Sequence, residues 1–184
     1  MNVKAEMGVG TLIIFIALLL VAAVAAGVLI QTSGSLQQQA LSTGAQATSQ
    51  ISTNIMVLEI SAEDGTNAGV DELRMLVALA PGSAPLNLDS VTLSLATKNT
   101  SQTFTYDETA STTIFNVTYL QTGETSQVGR LVRGDVAEVL FFSQREIRED
   151  EDVRVTLIPQ IGSSTQVVFT VPSVVTTQRV YLYP

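Results

Sequence analysis

The sequence predicts an α+β chain, a long hydrophobic N-terminal α-helix followed by an immunoglobulin-like antiparallel β-sandwich. Two observations predict it. Between Glu6 and Glu59 there is not one ionisable side chain, whereas about a quarter of the residues in an average soluble chain are charged, so this stretch must lie inside lipid or inside protein. From Glu59 onward, short runs rich in Val, Leu, Thr and aromatics alternate with turn dipeptides, the pattern of strands joined by tight turns. The expected division is a neutral helical arm over residues 6–58 and a sandwich over 59–184.

Within the arm, Leu12 to Ile30 is an unbroken run without a polar side chain, about 29 Å long as a helix and so matched to a bilayer core of about 30 Å. The basic residue preceding it is Lys4, which places the N-terminus on the cytoplasmic side and the rest outside. Beyond Ile30 the sequence turns to Gln, Ser, Thr and Ala, yet Leu36, Ala40, Leu41, Ala45, Thr48, Ile51 and Ile55 still recur largely at threes and fours. That spacing extends the helix to about Asn54, far longer than a membrane requires.

Three readings of the arm are open. It is a signal anchor, or a secretory signal cut near Ala23-Val24-Ala25, or a helix stored in the membrane and then packed with copies of itself in a filament. Only the last accounts for the missing charges after Ile30, because an unpaired charge buried among helices costs several kcal/mol. The side chains expected to pack in such a core are Leu12, Phe15, Leu19, Ala22, Ala26, Ile30, Leu41 and Ile51, with the small ones allowing close backbone approach.

The strands expected in the second region are Leu73–Ala80, Val91–Leu95, Thr103–Tyr106, Ile114–Leu120, Ala137–Phe142, Val153–Ile158, Gln166–Val171 and Val174–Tyr183. Turn signals separate them at Pro81-Gly82, Lys98-Asn99, Asp107-Glu108, Thr122-Gly123, Arg133-Gly134 and Ile161-Gly162. Strands at this spacing suit a two-layer sandwich with its own core.

Composition removes most chemistry. The chain has no Cys and no His, hence no disulfide, thiolate nucleophile, imidazole base or usual zinc site. A net charge of -8 excludes a phosphate-backbone partner, since nucleic acid is bound by clustered Lys and Arg. No enzyme is expected. Two sequons, Asn99-Thr100-Ser101 and Asn116-Val117-Thr118, are candidate N-glycosylation sites. Asn99 falls at a hairpin tip, and alternation in Phe115-Asn116-Val117-Thr118-Tyr119 sends Phe115, Val117 and Tyr119 inward and Asn116 outward. Four adjacent carboxylates, Glu149, Asp150, Glu151 and Asp152, are the one place for a Ca²⁺ ion, although adjacent positions in a loop between strands tend to diverge; otherwise no cofactor is expected.

The block Met7 to Gln39 resembles the N-terminal signature of archaellins, the archaeal flagellins of the archaellum filament. The residues that carry it are Gly8-Val9-Gly10-Thr11-Leu12-Ile13, the run ending at Ala26, and Thr32-Ser33-Gly34 with Leu36-Gln37-Gln38. At the other end, Val167-Val168-Phe169-Thr170-Val171-Pro172 and Val180-Tyr181-Leu182-Tyr183-Pro184 are similar to the family as well. Bacterial type IV pilins fit less well, since they carry Glu where this chain has Gly10. The resemblance implies that residues 1–5 are a class III leader, read at Lys4 and Ala5 and cut before Glu6 by a prepilin-type peptidase. It further implies a subunit that polymerises with itself, and with other archaellins, into a motility filament at the cell surface after storage in the cytoplasmic membrane and passage through archaellum export machinery. The alternatives are an adhesive archaeal type IV-like pilin and a membrane-anchored external β-sandwich that binds a ligand.

Overall fold

The computed structural model describes residues 3–63, 69–173 and 177–184, with side chains from Met7 onward. It divides into two units, the first ending at Ala47 and the second spanning Thr48–Pro184. The first unit is helix throughout its described length. This helix, α1, spans Val3–Ser52, about 75 Å at 1.5 Å per residue. Ala and Leu favour helix, Gly34 and Gly44 each weaken it by about 1 kcal/mol relative to Ala, and no proline interrupts it. The leader positions Lys4, Ala5 and Glu6 continue the helical backbone, and their side chains lie outside the described residues.

The helix stops earlier than its spacing suggests. Residues 53–58 are not helical; the first strand, β1, already spans Ile55–Ala62. Ile55, the last member of the apparent helical series, is 3% exposed within the β core, and Ile60 is fully buried there. Burying each such side chain stabilises by about 1.5–3 kcal/mol, more than one further helical turn would provide. The sandwich therefore begins at residue 55 rather than at Glu59.

The strands that follow are β2 Gly69–Leu79, β3 Leu86–Asn87, β4 Val91–Thr97, β5 Ser101–Tyr106, β6 Ile114–Gln121, β7 Arg130–Leu131, β8 Val136–Arg148, β9 Asp152–Pro159, β10 Thr165–Thr170 and β11 Val180–Tyr183. Every expected strand is present within a few residues at its start, except that the last begins at Val180; positions 174–176, where it was expected to start, lie outside the described residues. Strands β1, β3 and β7 were not expected. A short 3₁₀ turn, Leu88–Ser90, leads into β4.

The layers differ in one respect from two separate antiparallel sheets. The order β10-β9-β4-β5-β6-β8-β2-β1-β11 is continuous. Antiparallel pairing holds everywhere along it except between β5 and β6, which run parallel over Thr105↔Ile114 and Tyr106↔Phe115. That short parallel seam joins a four-stranded half to a five-stranded half. Alternation with period 2 puts Leu93, Leu95, Phe104, Val153 and Val155 of the first half, and Leu73, Met75, Val139 and Phe141 of the second, into a single core. The Phe104 and Phe141 rings meet across it with centroids 5.4 Å apart.

Candidate assembly site

From Leu12 to Ile30, helix α1 is apolar all round, which marks a segment that must be covered by lipid or protein. Its large apolar side chains from Met7 to Ile30 are 48–75% exposed, and so are Leu36, Leu41 and Ile51, at 66%, 69% and 83%. All the residues expected to pack in a core, including Ala22 and Ala26, are exposed on this chain. The few polar groups of the apolar half satisfy themselves: the Thr11 hydroxyl donates to the Gly8 carbonyl at 3.0 Å and that of Thr32 to Val28 at 2.9 Å. Such bonds satisfy the hydroxyl donor where a threonine lies in lipid or in a dry interface. A Cβ built on Gly27, Gly34 or Gly44 would meet nothing, so the chain itself does not require glycine there, and close approach by another helix would. By length and composition, this is the one described helix suited to crossing a membrane.

At its foot the helix is fastened by residues distant in sequence. Ser83, 6% exposed, accepts from the Asn54 amide at 3.1 Å and lies 3.2 Å from the carbonyls of Ser52 and Asn54. The Ala80 amide donates to the Asn54 carbonyl and the Ser163 amide to that of Thr53, both at 3.0 Å. Thr165 donates to the Ile55 carbonyl at 2.7 Å. Gly162 sits at φ +114, and a Cβ there would lie 2.4 Å from the Thr53 carbonyl oxygen, so only glycine lets the two backbones meet. Thr53 is 1% exposed, with its hydroxyl unsatisfied among the described residues. Beside this clasp runs an open groove of about 380 Å³ whose lining includes Ser49, Thr53, Leu86, Asn87, Gln160 and Ile161.

Asn99 is exposed in the turn between β4 and β5, a turn closed by the Thr97 amide on the Thr100 carbonyl at 2.8 Å. Asn116 lies within β6 opposite Leu140. It is half-buried, and its Nδ2 donates to the Glu108 carbonyl. Phe115 is fully inward as expected, with Val117 and Tyr119 partly buried against the core. The two sequons thus differ: one side chain is exposed in a turn, the other is engaged in a strand.

The acidic loop does not gather its carboxylates. Glu151 receives the Arg145 guanidinium and the Arg148 amide, Asp152 accepts from the Thr170 hydroxyl at 2.6 Å, and Asp150 turns the chain at φ 57. Among the described residues no three acidic side chains are placed to hold a metal ion. The loop instead borders an open groove of about 750 Å³ together with Lys98, Asn99, Arg145, Arg148 and Arg154.

Two clusters had no sequence signal. Arg74 reaches Glu63 and Glu72 at 2.9 Å and Glu138 at 2.8 Å, and Glu63 also holds Arg179. Burial acts to lower the Arg74 pKa, but the Glu72 hydrogen bond and the charges of Glu138 and Glu63 outweigh it and hold it above the usual value. This network ties β1, β2, β8 and the C-terminal segment together. Asp135, 1% exposed, accepts from the Gly123 amide at 2.6 Å and the Val132 amide at 3.0 Å, pinning the loop before β8. The Arg74 network joins residues far apart in sequence, the Asp135 cluster closes a local loop, and neither has a catalytic partner set.

Comparison with known proteins agrees with the fold. The family model described as archaeal-type flagellin matches residues 5–169. Flagellin B1 of Methanocaldococcus jannaschii is 32% identical over 200 residues, covering 94% of this chain and 92% of that protein. Flagellin B1 of Thermoplasma volcanium is 44% identical over 134 residues, covering 68% of this chain; the match spans only 53% of that relative's own length. Among solved structures, the archaeal flagellum of Methanospirillum hungatei superposes with a TM-score of 0.73 at 19% identity, covering 96% of this chain and 99% of that one. At that identity the likeness bears on the fold: one long helix followed by a mostly antiparallel β domain.

Proposed function

Since the chain belongs to the archaeal-type flagellin family, we propose that it is a structural subunit which polymerises into the archaellum filament for swimming motility. The observation that carries this reading is the helix, free of charge from Met7 to Ser52, whose described large apolar side chains are all uncovered. A helix of that kind is stable in lipid before assembly and against copies of itself afterwards, with Leu12, Phe15, Leu19, Ala22, Ala26, Ile30, Leu41 and Ile51 supplying contacts. The β unit then forms the outer sheath. It needs no cofactor and no catalytic group.

The leader supports a processing step. A retained Lys4 would have to be accommodated in a crowded helical core, where an unpaired charge costs several kcal/mol. Cutting between Ala5 and Glu6 by a prepilin-type peptidase removes it and leaves a new amino terminus beside the Glu6 carboxylate, so that opposite charges offset locally. Export machinery then moves the subunit from membrane to filament. Of the two sequons, Asn99 is the better glycan acceptor in the folded domain, because its amide is exposed while that of Asn116 is engaged by Glu108.

Electron microscopy of sheared surface filaments, with N-terminal sequencing of their subunit, tests both parts. The expected mature start is EMGVG; a start of MNVKA would defeat the processing step, and filaments lacking this subunit would defeat the assembly reading. Deletion of the gene should abolish swimming. Loss of surface adhesion with swimming intact would favour the adhesive pilin instead.

A further inference from the structure

The groove at the foot of α1 has the size and chemistry of a receptor for side chains from another helix. Its lining is mixed, with Ser49, Thr53, Asn87 and Gln160 beside Leu86 and Ile161; Arg130 is its one charged member among the described residues. Ile161 is 46% exposed, and Thr53 contributes a buried hydroxyl that no described residue satisfies. A volume of about 380 Å³ takes a few side chains and not a whole helix, so the occupant is a helix lying across the mouth. The clasp of Ser83, Ala80, Gly162, Ser163 and Thr165 fixes the Thr53–Ile55 backbone beside it, so little ordering is lost on filling it.

We propose that this groove receives the neutral polar half of a neighbouring subunit's α1, the segment from Gln31 to Ala47. Three features select a second copy of this chain. The segment offers amides and apolar groups together, Gln37, Gln38 and Gln39 beside the exposed Leu36 and Leu41, matching a lining of the same mixed kind. It carries no charge, so it brings no ion of its own to be desolvated in the groove, and its side-chain amides can accept from Arg130 at the lining. Finally, Ser49 of α1 itself forms one wall, so the groove is continuous with the surface that the assembly reading packs against copies. The apolar segment from Leu12 to Ile30 has no amide side chain to answer Asn87 and Gln160. In a helical polymer such a contact is heterologous, groove to helix, and repeats from copy to copy without closing.

The proposal rests on the reading that α1 packs against copies, and the test separates the two. The chain has no cysteine, so introduced thiols report without background. Filaments of full-length chains carrying Gln160→Cys with either Gln38→Cys or Ser42→Cys are treated with a short bismaleimide. The expected result is loss of the monomer band to a ladder of dimers and higher multimers for at least one pair, with single-cysteine filaments remaining monomeric. A parallel filament with Leu41→Cys is labelled by a soluble maleimide before and after denaturation. Protection of that thiol in the filament without a ladder from either pair overturns the groove assignment and leaves the core reading standing. A Leu41→Cys thiol labelled equally before and after overturns the core reading, and the groove assignment with it.

Discussion

The two units of this flagellin draw on the same apolar residue types and turn them in opposite directions. In α1, Phe15 and Leu19 are 60% and 54% exposed; in the sandwich, Phe104 and Leu93 are 0%. The difference lies in pattern. Strands with period 2 offer one apolar face and close a core with the opposite layer, so the β unit satisfies itself. A helix whose segment from Leu12 to Ile30 is apolar on every side has no inner face there to close a core of its own. One unit is therefore finished when it folds, and the other is finished only when copies or lipid surround it.

The sharpest way to break this contrast is to place a charge on the unfinished unit. Ala45→Asp should abolish filament formation outright, because each copy would bury an unpaired carboxylate at several kcal/mol in every repeat. A chain beginning at Thr48 lacks the site and should remain soluble, monomeric and β-rich by circular dichroism. Normal filaments from the Asp variant would show that this part of the helix faces water, and a helical spectrum from the shortened chain would overturn the division.

The matching change in the finished unit is Phe104→Ala, which empties the position that meets Phe141. Its expected cost is about 3–5 kcal/mol, a large share of a domain stability of about 5–15 kcal/mol. Chemical denaturation of the shortened chain measures it. Little change would mean the core closes without the Phe pair.

How far the sequence was legible follows from the same contrast. Charge distribution and alternation are local, and they exposed the helix and most strands. The end of the helix was misread because Ile51 to Ile55 keeps helical spacing, while the gain that makes Ile55 a strand residue comes from partners such as Leu79, opposite it across β2. Strands β3 and β7, at Leu86–Asn87 and Arg130–Leu131, are too short to show a period. The clasp and the Arg74 network were invisible for a related reason. Ser83 and Gly162 close on residues 52–54, and Glu63, Glu138 and Arg179 meet at or beside Arg74; no short motif encodes such meetings. Gly162 did register as a turn signal, but its requirement comes from the Thr53 carbonyl.

That requirement gives an intermediate test at the junction of the two regimes. Gly162→Ala forces a side chain to φ +114 and against the Thr53 oxygen at 2.4 Å. Backbone strain of this kind costs about 1–3 kcal/mol before the clash is counted, so the shortened chain should melt at lower temperature while keeping its β spectrum. An unchanged melting temperature would show that the clasp is not rigid.

The smallest expected effect concerns Tyr119, whose hydroxyl lies 2.8 Å from the Arg130 carbonyl and fastens the loop before β7. Burial raises its phenol pKa, with Tyr106 and Asp135 adding to the shift and backbone hydrogen bonds opposing it. A raised value means the folded state favours the neutral phenol. Its contribution is complete below the unfolded value of about 10 and is lost as pH rises through the higher folded value. Tyr119→Phe should therefore lower stability near pH 7 by about 1 kcal/mol, the worth of one hydrogen bond. Above a pH of about 10 the gap should narrow, because the native chain loses stability there and the Phe variant has no phenol to ionise at that position. Tyr106, raised chiefly by burial and also by Asp89, remains in both chains, so the difference between the two curves reports position 119 together with its coupling to Tyr106. Parallel curves from neutral to alkaline pH would show that this phenol is as well solvated in the fold as in the unfolded chain.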